Sequence, residues 1–480
     1  MRYLLFGTGD YYERCKKWFD RREVLALLDN AQHKIHTLID GIEVLPPAEG
    51  IRLAYDAVVI LSFHIKEMKQ QLIGLGVSEE RIYHFYDLHR LLAGRAVKRP
   101  LRYFLDAGDI AAADDLSGYK ILLLSHDMTF GGPAIALFHA AEVLKKHGYK
   151  VVYCSMIDGP LREKLVQSDI PVIIDENLQI ATMKETGWVD SFSLILCNTL
   201  NFHVFLSERD TRIPIIWWLH DARFFYDGVD RNVIGKISLD NLRGVSVGPV
   251  PEKAVREFLP GLKCGRLLYG VTDSAEGERP GDSAEEDRRC GLGAHGKVRF
   301  ITIGFLEKWK GQDILLDAIS GLPVSVRESC EFCIVGHDRT MYGEEIRRGS
   351  AGMEEIIFTG SVDRERIHAL LESSDILVCP SRQDSMPTVA AEAMMHAVPC
   401  IISDAAGTAA YIHDGEDGFV FPSEDAEILM EKLIWCVTNR EKLAVIGKNA
   451  RRLYEQYFSM AAFEEDFLRI INEMLENKGQ

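Results

Sequence analysis

The chain has 480 residues, too many for one ordinary domain, so two or three are expected. Its 47% apolar and 26% charged residues are those of an ordinary globular protein, and a net charge of −17 excludes a protein built to cover nucleic acid, which needs a basic face. The ten cysteines are scattered, several in apolar runs (Cys154, Cys197, Cys400), as buried thiols in a reducing cytoplasm would be. Cys330 and Cys333 form a C-x-x-C, but strand alternation puts them on opposite faces and no second pair completes a zinc site. The first residues predict no secretory leader, and no apolar run predicts a membrane span.

Residues 1–98 read as a small α/β unit. Tyr3–Phe6 is a strand ending in Gly7-Thr8-Gly9, followed by a helical stretch to about Arg21. Val24–Leu28 is a second strand, closed by Asp29; Asp56–Ser62 and Arg81–Phe85 are further strands, with a helix near Ile65–Leu75 between them. The segment from Arg95 to Tyr119 reads as a linker, bounded at 99–119 between the domains, and opens with a basic cluster: Arg95, Lys98, Arg99 and Arg102. A second unit, 120–272, opens with the strand Ile121–Ser125, then Gly131-Gly132 and a helix to His147. Its Ala134, Leu137, Phe138, Ala141 and Leu144 keep helical spacing. Strands follow at 151–154, 172–174, 194–197, 213–219, 245–247 and 266–268. Residues 273–297 are rich in glycine, serine and charge, and read as a second linker. A third unit, 298–440, predicts strands at 299–303, 332–335, 356–358, 376–378, 399–402 and 419–421. Residues 441–480 look helical.

Four features of this pattern carry chemistry. In 380–404 a strand runs into a loop with Asp384, and then into a helix from Thr388 with Glu392 one turn in. Pro387 suits that helix start. The N–H groups of Thr388 and Val389 attract phosphate. Glu392 can accept from a ribose diol and Asp384 from sugar hydroxyls. A buried amphipathic helix with a polar loop fits the spacing as well. Lys310 stands just past the strand Arg299–Ile303, where open α/β sheets bind ligands, and supplies a point charge for a diphosphate. Gly131 and Gly132 permit close backbone approach, or simply make a tight turn. His220 ends the strand Ile213–Leu219 and is either a donor to sugar or phosphate or a packed loop histidine. All four lie at C-terminal strand ends.

On these residues the chain resembles the retaining glycosyltransferases of family four over about residues 120–480. Asp384-Ser-Met-Pro-Thr-Val-Ala-Ala-Glu392-Ala-Met is similar to the family's E-x7-E motif, and Gly304 to Gly311 to its G-R-L-x-x-x-K-G run. The resemblance implies an α/β GT-B fold of two facing Rossmann-like domains, with an additional small Rossmann-like N-terminal domain. It implies that the C-terminal helices cross back to the first of the two. It implies transfer of a sugar from a UDP- or GDP-sugar to a sugar, lipid-linked or polymeric acceptor in bacterial surface glycan or polysaccharide assembly. No metal and no cofactor are required. His220, Lys310, Asp384 and Glu392 would be catalytic. Gly131, Gly132, Gly304, Gly360, Ser361, Val362, Met386, Thr388 and Val389 would join Lys310, Asp384 and Glu392 around the donor. A cytoplasmic location is expected, and peripheral membrane contact and a homo-oligomer are compatible with it.

Two positions depart from the family. Asp384 is one methylene shorter than the family's first glutamate, and Phe305 replaces its arginine; Lys308 or Arg382 are the cations at hand to compensate. The N-terminal domain, with Gly7, Gly9 and Asp29, resembles a dinucleotide loop, but Tyr12 stands at the third glycine. It is similar to small domains attached to bacterial sugar-modifying enzymes and methyltransferases. A non-catalytic GT-B-like scaffold and an NAD-linked sugar reaction in the N-terminal domain are the alternatives.

Overall fold

The computed structural model describes residues 1–93, 98–112, 118–274 and 296–476. Arg95 and most of the expected 273–297 linker lie outside the described residues. The chain divides into two compact units: Met1–Gly244 with Ala254–Cys264 and Met474–Gln480, and Val245–Lys253 with Gly265–Glu473.

The first unit holds two sheets. One contains β1 (Tyr3–Phe6), β2 (Val24–Leu28), β3 (Leu38–Ile39), β4 (Ile42–Leu45), β5 (Ala57–Ile60) and β6 (Ile82–His84) in the order β3-β4-β2-β1-β5-β6. It is parallel except for the β3–β4 hairpin. The other contains β7 (Arg102–Phe104), β8 (Lys120–Ser125), β9 (Lys150–Ser155), β10 (Val172–Ile174), β11 (Leu194–Asn198), β12 (Ile215–Leu219), β13 (Leu242–Ser246) and β14 (Cys264–Arg266). Its order is β14-β13-β12-β11-β8-β9-β10-β7. Helices cover both faces of a parallel sheet, so its central strands are apolar throughout, as the wholly buried Lys-Ile-Leu-Leu-Leu-Ser of β8 shows.

This unit corrects two expected boundaries. Residues 99–119 are not a plain linker: β7 pairs antiparallel with β10, and a helix, Ala107–Ala112, follows. Two of the expected basic cluster are engaged: Arg102 pairs with Asp158 at 2.9 Å, and Arg99 donates to the carbonyl of Lys17 at 2.6 Å. Nor are 1–98 and the following domain separate bodies. One apolar cluster runs from Tyr3, Leu5 and Trp18 through Leu122 and Ile195 to Trp217. Burying rings of that size is worth about 1.5–3 kcal/mol each, enough to hold the two sheets as one unit.

The second unit is built on β15 (Val298–Ile303), β16 (Cys330–Val335), β17 (Ile356–Gly360), β18 (Ile376–Cys379), β19 (Cys400–Ser403) and β20 (Phe419–Phe421). Their order is β17-β16-β15-β18-β19-β20, all parallel. Cys330 and Cys333 are both buried on β16, where burial pushes each thiol up to about 12 and leaves it inert. Long helices, Ala426–Thr438, Arg440–Tyr457 and Met460–Glu476, close the chain. Among the described residues no helix is long and apolar enough to cross a membrane.

In each sheet the strand order reverses at one strand: β1, β8 and β15. Ligand crevices of open α/β sheets form there, outside the carboxyl ends. The loops singled out in the sequence, Gly7-Thr8-Gly9, His126–Gly132 and Gly304–Gly311, follow those three strands.

Candidate functional site

The loop after β15 and the loop after β18 are adjacent because those strands pair. The first is a turn ending in Gly311, whose φ of +72° suits glycine; a Cβ there would stand 2.1 Å from the carbonyl oxygen of Pro380. The two loops are stitched by the amide of Arg382 donating to Trp309 O at 2.9 Å. The amide of Asp384 donates to Ala405 O at 3.2 Å, and Gly407 N donates back to Asp384 O at 3.0 Å. Gly407 sits so close that a Cβ would meet Ser385 O at 1.9 Å.

This stitching places the Lys310 ammonium 2.6 Å from Asp384 Oδ2. Asp384 is buried, and Lys310 lies also over the Trp309 ring at 4.4 Å. Burial works against the lysine's charge, but Asp384 outweighs it and holds the ammonium above the usual lysine pKa. Ser381 Oγ donates to the same carboxylate oxygen at 3.4 Å.

The helix Thr388–Met395 starts after Pro387 with no side-chain cap, so Thr388 and Val389 form its first turn. Glu392, its fifth residue, is 2% exposed. A carboxylate that deep needs a partner. It has one in Arg364, first residue of the helix Arg364–Glu372, whose Nη2 donates to Glu392 Oε1. Burial first, then the charges of Asp384 and Glu392, push the Tyr269 hydroxyl well above its ordinary value. That hydroxyl is buried with no hydrogen-bond partner.

The other residues expected to meet the donor lie along the carboxyl ends of the same sheet. Gly304 faces the Lys310 methylenes: a Cβ there would stand 3.6 Å from Lys310 Cε. Gly360 has φ +70° and lines an open groove of about 570 Å³ in which Arg347 covers the Phe358 ring; Ser361 and Val362 follow it. Met386 is buried, its sulfur accepting from Thr408 Oγ1 at 3.0 Å. Phe305 is 63% exposed. Arg382 is occupied by Asp313 (2.7 and 2.9 Å), Glu424 (2.7 Å) and Lys308 O (2.8 Å), whereas Lys308 is exposed. Among the described residues no three His, Cys, Asp or Glu side chains gather as a metal-binding group.

His220, Gly131 and Gly132 belong to the first unit. His220 ends β12 against the Trp218 ring, 4.8 Å between centroids. Burial, helped by His126, pushes its pKa down to about 3, so it is neutral, and its Nε2 has no hydrogen-bond partner. Next to it burial raises the Asp221 carboxyl to about 6, although Leu200 N donates to it at 2.6 Å. Gly131 caps the helix Gly132–Lys146 and receives no side-chain cap itself. In the N-terminal loop, Gly7 packs on β5, its would-be Cβ 2.6 Å from Leu61 O. Asp29 is spent on that loop: it accepts from Thr8 N at 3.2 Å, from Thr8 Oγ1, and from Ala31 N at 2.9 Å.

Sequence reasoning missed Arg364. It lies 28 residues before Glu392 on another helix, and no spacing announces the pair.

Comparisons with known proteins complete the description. Residues 283–453 match the family model described as glycosyl transferases group 1, and residues 117–241 that described as glycosyl-transferase family 4. Together they take in more than half of the chain. Residues 1–83 match a model described as C2185-like, N-terminal. Spore coat protein SA of Bacillus subtilis is 26% identical over 58% of this chain and 78% of its own length. The D-rhamnosyltransferase WbpZ of Pseudomonas aeruginosa is 29% identical over 33% of this chain, and the O-antigen chain mannosyltransferase C of Escherichia coli 28% over 38%. The chain spans less than half of each of those two, 41% and 48%. Among solved structures, Anabaena HepE with UDP and glucose is similar with a TM-score of 0.61 at 20% identity, over 74% of this chain and all of that one. WaaG, a glycosyltransferase of lipopolysaccharide biosynthesis, gives 0.53 at 15% identity, over 72% of this chain and 98% of its own.

Proposed function

The chain belongs to the family 4 glycosyltransferases and has their GT-B fold, and from that premise we propose that it moves a sugar, with retention, from a nucleoside-diphosphate sugar to an acceptor hydroxyl in the assembly of a surface glycan. The observation that carries this reading is the buried contact of Lys310 with Asp384, on the strand–loop–helix that also carries Glu392.

In the free enzyme Lys310 and Asp384 satisfy each other. A bound donor offers each a better partner. The ammonium turns to the diphosphate, whose negative charge grows as the glycosidic C–O bond breaks; Asp384 accepts from a hydroxyl of the transferred sugar. Glu392 accepts from the ribose diol, with Arg364 beside it offsetting the cost of its burial. The amides of Thr388 and Val389 meet a phosphate at the helix start. The departing phosphate oxygen takes the acceptor's proton as that hydroxyl bonds to the anomeric carbon on the same face. Lys310 supplies charge at the leaving group, so no metal is needed. The roles of His220 by the transferred sugar, and of Gly131 and Gly132 at the diphosphate or the acceptor, rest on the family resemblance.

The test is a hydrolysis screen with UDP-, GDP- and dTDP-sugars, with Glu392→Ala as control and the product anomer read by NMR. One donor class is expected to be hydrolysed with retention, unchanged by EDTA, and spared by Glu392→Ala. If every donor is untouched and none raises the melting temperature, the reading fails.

A further inference from the structure

The first unit has a cavity that the transferase site does not use. It opens above the carboxyl ends of β1 and β5, the switch point of the N-terminal sheet, and measures about 380 Å³. Its polar wall is Thr8, Asp10, Asp29, Asn30, Ser62 and His64. Its rim is aromatic: Tyr11 and Phe63 meet edge to face at 4.5 Å, and Phe63 is 44% exposed.

Its chemistry argues against a dinucleotide. A pyrophosphate would sit at the start of the helix Asp10–Cys15, where Asp10 and Glu13 already place negative charge. The third glycine of a dinucleotide loop is Tyr12, buried in the core. The nearest cation, Lys34, is held by Thr8 Oγ1 at 3.1 Å and Asp29 at 3.6 Å. Asp29 is engaged by Thr8, Ala31 and Lys34, and Asn30 exchanges two hydrogen bonds with Gln71, so Asp10 and the Ser62 hydroxyl beside the exposed ring are the groups that suit a neutral, hydroxyl-rich ligand. The polar groups pair with its hydroxyls, and the ring's negative face takes its C–H face.

Gly9 stands at the mouth as the N-cap of the helix Asp10–Cys15, and a Cβ there would meet no atom within 4 Å, so its backbone is open to a ligand.

The cavity has a neighbour. Tyr11 also lines a second, smaller one of about 60 Å³ with Arg14, His126, Gln179, Asn201 and His203. That one lies at the carboxyl ends of β8 and β11, in the sheet of the domain that the family resemblance expects on the acceptor side, and there His126 Nδ1 is buried without a hydrogen-bond partner. Arg14 pins the two parts together through Asp127 at 3.2 Å. One tyrosine ring therefore separates the N-terminal cavity from the end of the acceptor-side sheet.

We propose that the N-terminal cavity between Gly9 and Phe63 is a carbohydrate subsite that holds a distal sugar of the acceptor glycan, a role that rests on the transferase reading above. The accessory domain thus selects acceptors longer than one residue.

The experiment uses the full-length protein on a printed array of mono- to tetrasaccharides from bacterial surface glycans, with NADH and UDP as competing probes. Wild type is expected to retain at least one oligosaccharide. Gly9→Leu, which adds bulk at the mouth where a Cβ meets no atom within 4 Å, should weaken retention about tenfold or more at unchanged melting temperature, and Phe63→Ala by several-fold. Glu392→Ala should bind glycan as wild type does. No retained glycan, retention unchanged in Gly9→Leu, or displacement of the glycan by NADH overturns the proposal. Failure of donor hydrolysis would sink the transferase reading instead, and leaves the array result standing.

Discussion

Lys310 and Asp384 are held 2.6 Å apart, Asp384 buried and Lys310 partly so, and losing one partner strands the other's charge at a cost of at most about 3–5 kcal/mol. Lys310→Met is therefore expected to lower both the melting temperature and donor hydrolysis, the latter by about 10²–10³. Adding Asp384→Asn should recover the melting temperature and leave hydrolysis lost. Recovery of both would remove Lys310 from the chemistry. Beside them, the arginine that the family carries is Phe305, and Arg382 is already committed to two carboxylates. The exposed Lys308 is the cation left to approach a diphosphate. Lys308→Ala should raise the donor KM about three- to tenfold with kcat little changed, and an unaltered KM would discard that role. Asp384, Glu392 and Lys310 were legible in the sequence because each stands at a fixed offset from a strand end or helix start. Arg364 was not, since its bond to Glu392 is a meeting of two helices.

Elements impose their own tests. Gly311 joins the turn after β15 to the loop after β18 through an approach no side chain tolerates, 2.1 Å from Pro380 O. Gly311→Ala is expected to cost about 3 kcal/mol or more and to lower the melting temperature measurably, whereas Gly9→Ala should stay within about 0.5 kcal/mol. Equal effects would refute the packing argument. The same scale explains what could be read. The closing helices showed because apolar residues repeat over 13 to 18 positions. β7 did not show: Arg-Tyr-Phe is three residues long and becomes a strand only through its partner β10. The β3–β4 hairpin escaped for the same reason.

Across the first unit, acid stability follows from burial. His203 and His220 are pushed down to about 4 and about 3, chiefly by desolvation. Their neutral burial is fully compatible with folding above about pH 6.5. Below it the unfolded chain binds protons that the folded chain refuses, and stability is lost as pH falls towards those values, about 1.4 kcal/mol per histidine per pH unit. Asp221, raised to about 6, works the other way: the folded state takes up its proton first, offsetting about one histidine between pH 6 and 4. The melting temperature should therefore fall from pH 7 to 5, more steeply in Asp221→Asn and less in His220→Gln. Profiles identical in all three proteins would contradict this. The amino-acid sequence by itself determined the α/β alternation, most strands and the strand–loop–helix that carries Asp384 and Glu392, because periodicity and offsets from element ends are local properties of a chain. Tertiary structure alone decided that 1–98 and the following domain share one core, that 102–112 is ordered against β10, and that Glu392 is matched by Arg364. Those are contacts between distant segments, and their energy exists only once the intervening chain has folded to bring them together.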